Sequence, residues 1–286
     1  MKFFLISDYL PDEVLGGCEI NNAELANILR ARGHKVLEKK STFLESIDVI
    51  DNRHVFYIIS NFIELNPATI EELKKTKYVI YEHDHKYLRT RNPAFYEDFK
   101  APPEDLINID FYQKAQAVFC QSNFHGDIIR KNTGLQNVIS VSGNLWSEES
   151  LSLMDELATK EKQDCVSILN SPIPHKNTLD TVRYCQYTKR KHELVSSGDY
   201  HSFLKQLGRN NEFMFFPQTP ETLSRVVCEA RMMNMVVTTN KLVGATGESW
   251  FSLKGQDLIV HMRAQRNNIA DMVEDAFKEG VRANTL

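Results

Sequence analysis

Residues 220–240 read PETLSRVVCEARMMNMVVTTN. Leu223, Val226 and Val227 recur at steps of three and four residues, the apolar stripe of a helix laid on a sheet. Pro220 suits the first turn of such a helix. Met235 to Thr238 is a short apolar run with two valines, the signature of a buried parallel strand. The stretch therefore predicts a helix, a tight turn and a strand. Glu221 and Glu229 stand eight positions apart, a little over two turns at about 3.6 residues per turn, so one helix would carry both on one face at different depths. Acids near a helix start are also what dipole stabilisation alone favours.

The same alternation extends outward. A short apolar strand at 2–6 is followed by Ser7-Asp8, Pro11, Gly16 and Gly17, then by a helix beginning near Glu19 and ending at Gly33, a glycine stop of the usual kind. Strands are expected at 55–59, 78–81, 117–120 and 138–141, with helices at 67–76, 104–114 and 123–131 between most of them. Such alternation makes a parallel, doubly wound sheet. Around Gly143-Asn144-Leu145 the periodicity lapses, and a polar helix over 148–162 leads to a new strand at 165–169. The domain boundary is therefore placed there, giving domains 1–145 and 146–286. Further units are expected at 193–196, 213–216, 235–238 and 258–260, ending in a helix over 264–278.

Composition fits two modest globular domains: 286 residues, 42% hydrophobic and 25% charged. Net charge is -4, so no global field draws the chain to nucleic acid or to an anionic membrane. The five cysteines are scattered, with no C-x-x-C pair, which speaks against a disulfide framework or a zinc knuckle and for a reducing cytoplasm. The opening MKFFLIS is too short for a secretion signal or a membrane span.

Three loops carry candidate chemistry. Gly16 and Gly17 ahead of a helix let backbone N–H groups approach a phosphate, although a plain flexible turn reads the same way. Gly244 to Glu248, with Thr246 inside it, is a second candidate phosphate loop. The long stretch EHDHKYLRTRNPAFYEDFKAPP from Glu82 mixes His85, Lys86, Tyr87, Arg89 and Arg91, as a site for phosphate or a stacked ring would, and a solvated loop is the alternative.

Glu221, Glu229, Ala230 and Val236-Val237 resemble the Glu-x7-Glu helix, Ala and valine-rich strand of the retaining GT-B glycosyltransferases of the family-4 type. Gly16-Gly17-Cys18-Glu19 resembles their Gly-Gly-x-Glu loop, and Arg32-Gly33-His34-Lys35-Val36 their Arg-Gly-His-x-Val helix ending. Where that family usually has Gly-Phe-Gly after the first Glu and a Gly before the strand, this chain has Thr222-Leu223-Ser224 and Asn234. The resemblance implies an α/β fold of GT-B type, two Rossmann-like domains facing across a cleft, with donor on the second and acceptor on the first. It gives Glu221 the donor sugar hydroxyls, Glu229 the nucleotide ribose and Lys176 the donor diphosphate. The family's Gly-Arg shortly before that lysine is replaced by Asn170-Ser171, so diphosphate charge would rest on Lys176 and helix N-termini unless Arg183 or another group substitutes. His83-Asp84 matches a His-Asp pair near the reacting sugar carbon, where Asp84 would stabilise developing positive charge.

The implied activity is transfer of a glycosyl group from a nucleotide diphosphate sugar to a hydroxyl, with retention and with no metal or other cofactor. Catalytic candidates are His83, Asp84 and Glu221; donor candidates are Gly16, Gly17, Lys176, Glu221, Glu229, Gly244 and Thr246; acceptor candidates are Glu19, Lys86, Tyr87, Arg89 and Arg91. The expected acceptor is anionic, a glycan, lipid-linked or lipopolysaccharide sugar, with duplex DNA carrying a hydroxymethylated base, as small phage enzymes modify, as the alternative. A non-catalytic nucleotide-sugar-binding protein and a nucleotide-sugar epimerase are the competing classes.

Overall fold

The computed structural model describes residues 1–11, 13 and 16–279. The chain forms two compact units, Met1–Leu145 together with the chain from Gln265 onward, and Trp146–Ala264.

In the first unit the elements are β1 (Lys2–Ser7), α1 (Gly17–Ala31), β2 (Lys35–Lys40), α2 (Ser46–Asp51), β3 (Phe56–Ile59), α3 (Pro67–Leu73), β4 (Lys77–Glu82), α4 (Ile109–Lys114), β5 (Val118–Cys120), α5 (Asn123–Thr133) and β6 (Val138–Ser140). The six strands form one sheet in the order β2-β1-β3-β4-β5-β6, every neighbouring pair parallel. β3 and β4 are near-continuous apolar runs because both faces of the sheet are covered. One face holds a core with Tyr57, Tyr78, Phe111 and Ile129. The other packs Phe3, Phe56 and Val79 against Leu25 and Leu29 of α1 and against Ile269 and Val273. Strand order reverses between β1 and β3, and ligands of open parallel sheets bind beyond the carboxyl ends at such a reversal. Asp8, just past β1, ties the spot together by accepting from the Ser41 hydroxyl and from the backbone N–H groups of Ile63 (3.1 Å) and Glu64 (3.2 Å).

The second unit has α6 (Glu148–Thr159), β7 (Gln163–Leu169), α7 (Thr178–Tyr187), β8 (His192–Val195), α8 (Tyr200–Leu207), β9 (Asn210–Phe215), α9 (Arg225–Met232) and β10 (Val236–Thr239). Its sheet runs β10-β9-β7-β8, again all parallel, with the reversal between β7 and β9. α10 (Gly255–Glu279) begins in this unit and ends in the other.

Two expectations need correction. The run at 258–260 is not a strand: it lies inside α10, where Leu258, Ile259 and Met262 enter the second core, and a short apolar run cannot be told from a fully buried helix segment by periodicity. The chain from Gln265 onward belongs with the first unit rather than with residues 146–264, because Ile269, Ala270, Val273 and Ala276 complete the core beneath α1. All five cysteines are free thiols. Among the described residues no helix is long and apolar enough to cross a membrane.

Candidate functional site

Of the predicted donor residues of the second unit, Lys176 and Glu221 come together at the strand-order reversal. Lys176 lies on the loop after β7, and Glu221 on the segment after β9. They meet: the Lys176 ammonium donates to both Glu221 carboxylate oxygens, at 2.7 and 2.8 Å. Glu221 is not on a helix with Glu229, as the spacing had suggested. α9 starts only at Arg225, and the segment before it pairs with the Leu242–Ala245 stretch. The Glu221 N–H donates to Leu242 O at 2.7 Å, and the N–H groups of Gly244 and Ala245 donate to Glu221 O and Leu223 O. That pairing, a single parallel bridge between Glu221 and Val243, brings the loop of Gly244 and Thr246 alongside Glu221. Thr246 Oγ1 is itself turned back to Val243 O.

The amino end of α9 is unusual. Ser224 precedes it at φ 74 with no side-chain cap, and its hydroxyl is buried without a hydrogen-bond partner. An L-residue at positive φ is costly, and an uncapped helix start leaves backbone N–H groups without partners. Asn234, before β10, is likewise at positive φ, so two of the three positions where the resembled family carries Gly keep a glycine-like backbone, and Thr222 does not. An open recess of ≈ 400 Å³ flanks the Lys176 turn, lined by Ser171, Pro174, Asn177, Arg183 and Gln218 among others. Arg183 is paired with Asp180 at 2.8 Å.

Glu229 is buried within the same unit, accepting from Trp146 Nε1 at 2.9 Å and from the Tyr200 hydroxyl at 2.6 Å. Arg225 Nε lies 3.5 Å away, one turn earlier on α9, and its guanidinium stacks on the Trp146 ring at 4.6 Å. Desolvation alone would lower the Arg225 pKa, but Tyr200 and Glu229 hold it above the ordinary value. Sequence reasoning missed these three partners. The four-residue step from Arg225 to Glu229 was the available signal; Trp146 and Tyr200 carry none, being distant in sequence.

In the first unit Gly16 precedes α1 and Gly17 opens it, again with no side-chain cap. Glu19, in the first turn, is buried; desolvation raises its pKa, Asp8 adds to that, and Lys86 opposes it. His83 and Asp84 sit beyond β4. The His83 ring stacks on Tyr81 and its Nδ1 lies 2.8 Å from Gln121 Nε2. Burial would raise the Asp84 pKa, but Lys86 and Arg91, together with the hydrogen bonds the carboxylate accepts, hold it well below the usual carboxylate range. Lys86 Nζ donates to Asp84 at 2.6 Å and to Glu82, and Glu82 also accepts from the Tyr112 hydroxyl. Arg91 Nε donates to Asp84 at 2.9 Å.

The expected basic and aromatic acceptor loop is therefore corrected. Lys86 and Tyr87 have no solvent exposure: Lys86 is the centre of a buried ion network, and Tyr87 bonds His85 Nδ1 at 2.9 Å. The loop folds back on itself, with Ile107 N–H donating to Tyr87 O and Arg89 N–H to Asp105 O, which turns these side chains inward. Only Arg89 and Arg91 keep substantial exposure, and Arg91 is committed to Asp84. Among the described residues no group of three or more His, Cys, Asp or Glu could hold a metal ion.

This architecture, two units each built on a parallel, helix-covered sheet, is the α/β fold of the GT-B glycosyltransferases. No family model and no curated protein matches the chain. Among solved structures, a glycosyltransferase from Rickettsia africae is similar at TM-score 0.61 and 11% identity, over 97% of this chain and 99% of that one. An alpha-glucosyltransferase in complex with UDP and a 13-mer DNA containing a HMU base is similar at TM-score 0.55 and 10% identity, over 98% and 92%. The catalytic domain of starch synthase IV from Arabidopsis thaliana, bound to ADP and acarbose, gives 0.54 and 9%, over 99% and 94%. Identities this low speak for the fold and leave the chemistry to the site.

Proposed function

We propose that the protein is a retaining glycosyltransferase that uses a nucleotide diphosphate sugar, bound on the second unit, to glycosylate a hydroxyl. The observation that carries this reading is the constellation at the reversal of the second sheet: Lys176 paired with Glu221, directly ahead of an uncapped helix start whose Ser224 hydroxyl is buried without a partner. A helix amino end and an ammonium group attract a diphosphate. When Lys176 turns to the phosphates, Glu221 is released to accept from sugar hydroxyls, so each group of the pair satisfies the other in the way a ligand would. The acceptor oxygen then bonds to the anomeric carbon on the face from which the diphosphate departs. The bond to the phosphate oxygen breaks with its electron pair, and the acceptor proton passes to that oxygen. Lys176 and the amino end of α9 supply the positive charge, and the reaction is taken to need no divalent metal.

For the acceptor, loss of Lys86 as a surface cation leaves little to attract a polyanion, so a glycan hydroxyl is favoured. A hydroxymethylated base in DNA is the second reading, supported by the likeness to the DNA-bound alpha-glucosyltransferase. Thermal shift against a panel of UDP- and ADP-sugars tests the donor half: a true donor at about 100 times its Kd stabilises by about 2.7 kcal/mol. No shift with any nucleotide sugar, at concentrations to millimolar, would remove the proposal.

A further inference from the structure

Glu229 is held in a lopsided way. It is only 2% exposed, yet both hydrogen bonds it accepts, from Trp146 Nε1 and from the Tyr200 hydroxyl, end on Oε1. The Arg225 guanidinium approaches the same oxygen at 3.5 Å. Among the described residues no hydrogen bond ends on Oε2. A carboxylate has about four acceptor positions, so Oε2 keeps acceptor capacity that these side chains do not use. The donors are themselves fixed: Arg225 stacks on the Trp146 ring at 4.6 Å and donates to the Tyr200 hydroxyl at 3.2 Å. These side chains come from the start of the second unit, the start of α8 and the first turn of α9, so the arrangement is set by tertiary packing rather than by local sequence.

We infer that Trp146, Tyr200 and Arg225 are positioning residues that clamp Glu229 by one oxygen and leave Oε2 to receive vicinal hydroxyls of a ligand. On the donor reading above, on which this rests, those are the 2′ and 3′ hydroxyls of the nucleotide ribose. The clamp then decides selectivity for ribonucleotides over their deoxy forms, because a carboxylate free to rotate loses the directional part of the bond.

The test is the Kd of UDP and ADP, each against its 2′,3′-dideoxy counterpart, for the full chain and for Tyr200→Phe. Wild type should prefer the ribose form of the better-bound nucleotide at least tenfold, as hydrogen bonds to a charged acceptor imply. Tyr200→Phe should cut that preference to about threefold or less while changing the dideoxy Kd less than about twofold. A merely structural tyrosine would weaken both forms equally and leave the ratio alone, and that result overturns the clamp while leaving the donor site standing. If neither diphosphate binds wild type, the donor reading falls and the clamp with it. Trp146→Phe removes the other donor to Oε1, carries the same expectation, and decides the matter should Tyr200→Phe not fold.

Discussion

Lys86 carries its ammonium group into a site with no solvent contact, shared between Glu82 and Asp84. A buried charge persists only where partners replace its water, and removing one partner leaves the others uncompensated. Lys86→Ala should therefore cost about 3 to 5 kcal/mol in urea unfolding; a loss under about 1 kcal/mol would show that the network is not what holds the loop. The pair Lys176–Glu221 is partly exposed, and its contribution to stability is expected to be small, under about 1 kcal/mol. Glu221→Ala should accordingly fold like wild type and weaken nucleotide-sugar binding about tenfold or more, with free nucleoside diphosphate bound at least as tightly as by wild type, as titration calorimetry would report. Equal losses for both ligands would contradict the assignment of Glu221 to the sugar.

At the scale of elements, α9 and the loop after β4 make opposite demands. Ser224 holds φ 74 ahead of α9 with a hydroxyl that bonds nothing, so Ser224→Gly should relieve strain and raise stability by about 1 kcal/mol. The same change should weaken nucleoside diphosphate binding severalfold if the hydroxyl serves the phosphates; unchanged affinity would assign the strain to folding alone. Against the other loop, His125 of α5 donates its Nε2–H to Asp84 O at 2.8 Å, and burial lowers the pKa of His125 to about 4 and that of the adjacent His85 below its usual value. Unfolding exposes both to their ordinary value, so below about pH 6.5 the unfolded chain binds more protons. The histidines' share of the stability should be full above that pH and fall toward pH 4, by up to about 1.4 kcal/mol per pH unit for each, while the buried Glu82 carboxyl, raised to about 7 by desolvation, works in the opposite sense. The histidine share is read as the difference in urea midpoint between wild type and His125→Gln, and a difference that stays flat between pH 7.5 and 5 would contradict it. Alternation of apolar runs made the two parallel sheets legible in sequence, and a resemblance of spacing singled out Lys176, Glu221 and Glu229, of which the structure pairs Lys176 with Glu221. The helix start was not, because the 221–223 segment takes its hydrogen bonds from the loop at 242–245, a tertiary pairing that overrides the helical stripe. Lys86 and Tyr87 were misread as surface groups because a basic and aromatic mix looks alike whether it faces water or closes on Glu82 and His85.

For the whole molecule, two α/β units built on the same plan present different side chains at their strand-order reversals. The first, around Asp8, Glu19 and the start of α1, is crowded with acids and already satisfied hydrogen bonds. The second presents a lysine paired with a carboxylate beside a helix start whose Ser224 hydroxyl bonds nothing, groups suited to a diphosphate. The most direct measurement is phosphorus NMR of UDP- and ADP-sugars incubated with the protein, read for release of the nucleoside diphosphate. The account predicts steady release from at least one sugar nucleotide, accelerated by a hydroxyl acceptor and reduced at least tenfold in Lys176→Ala. Sugar nucleotides that remain intact with every acceptor, or release that proceeds unchanged in Lys176→Ala, would contradict it.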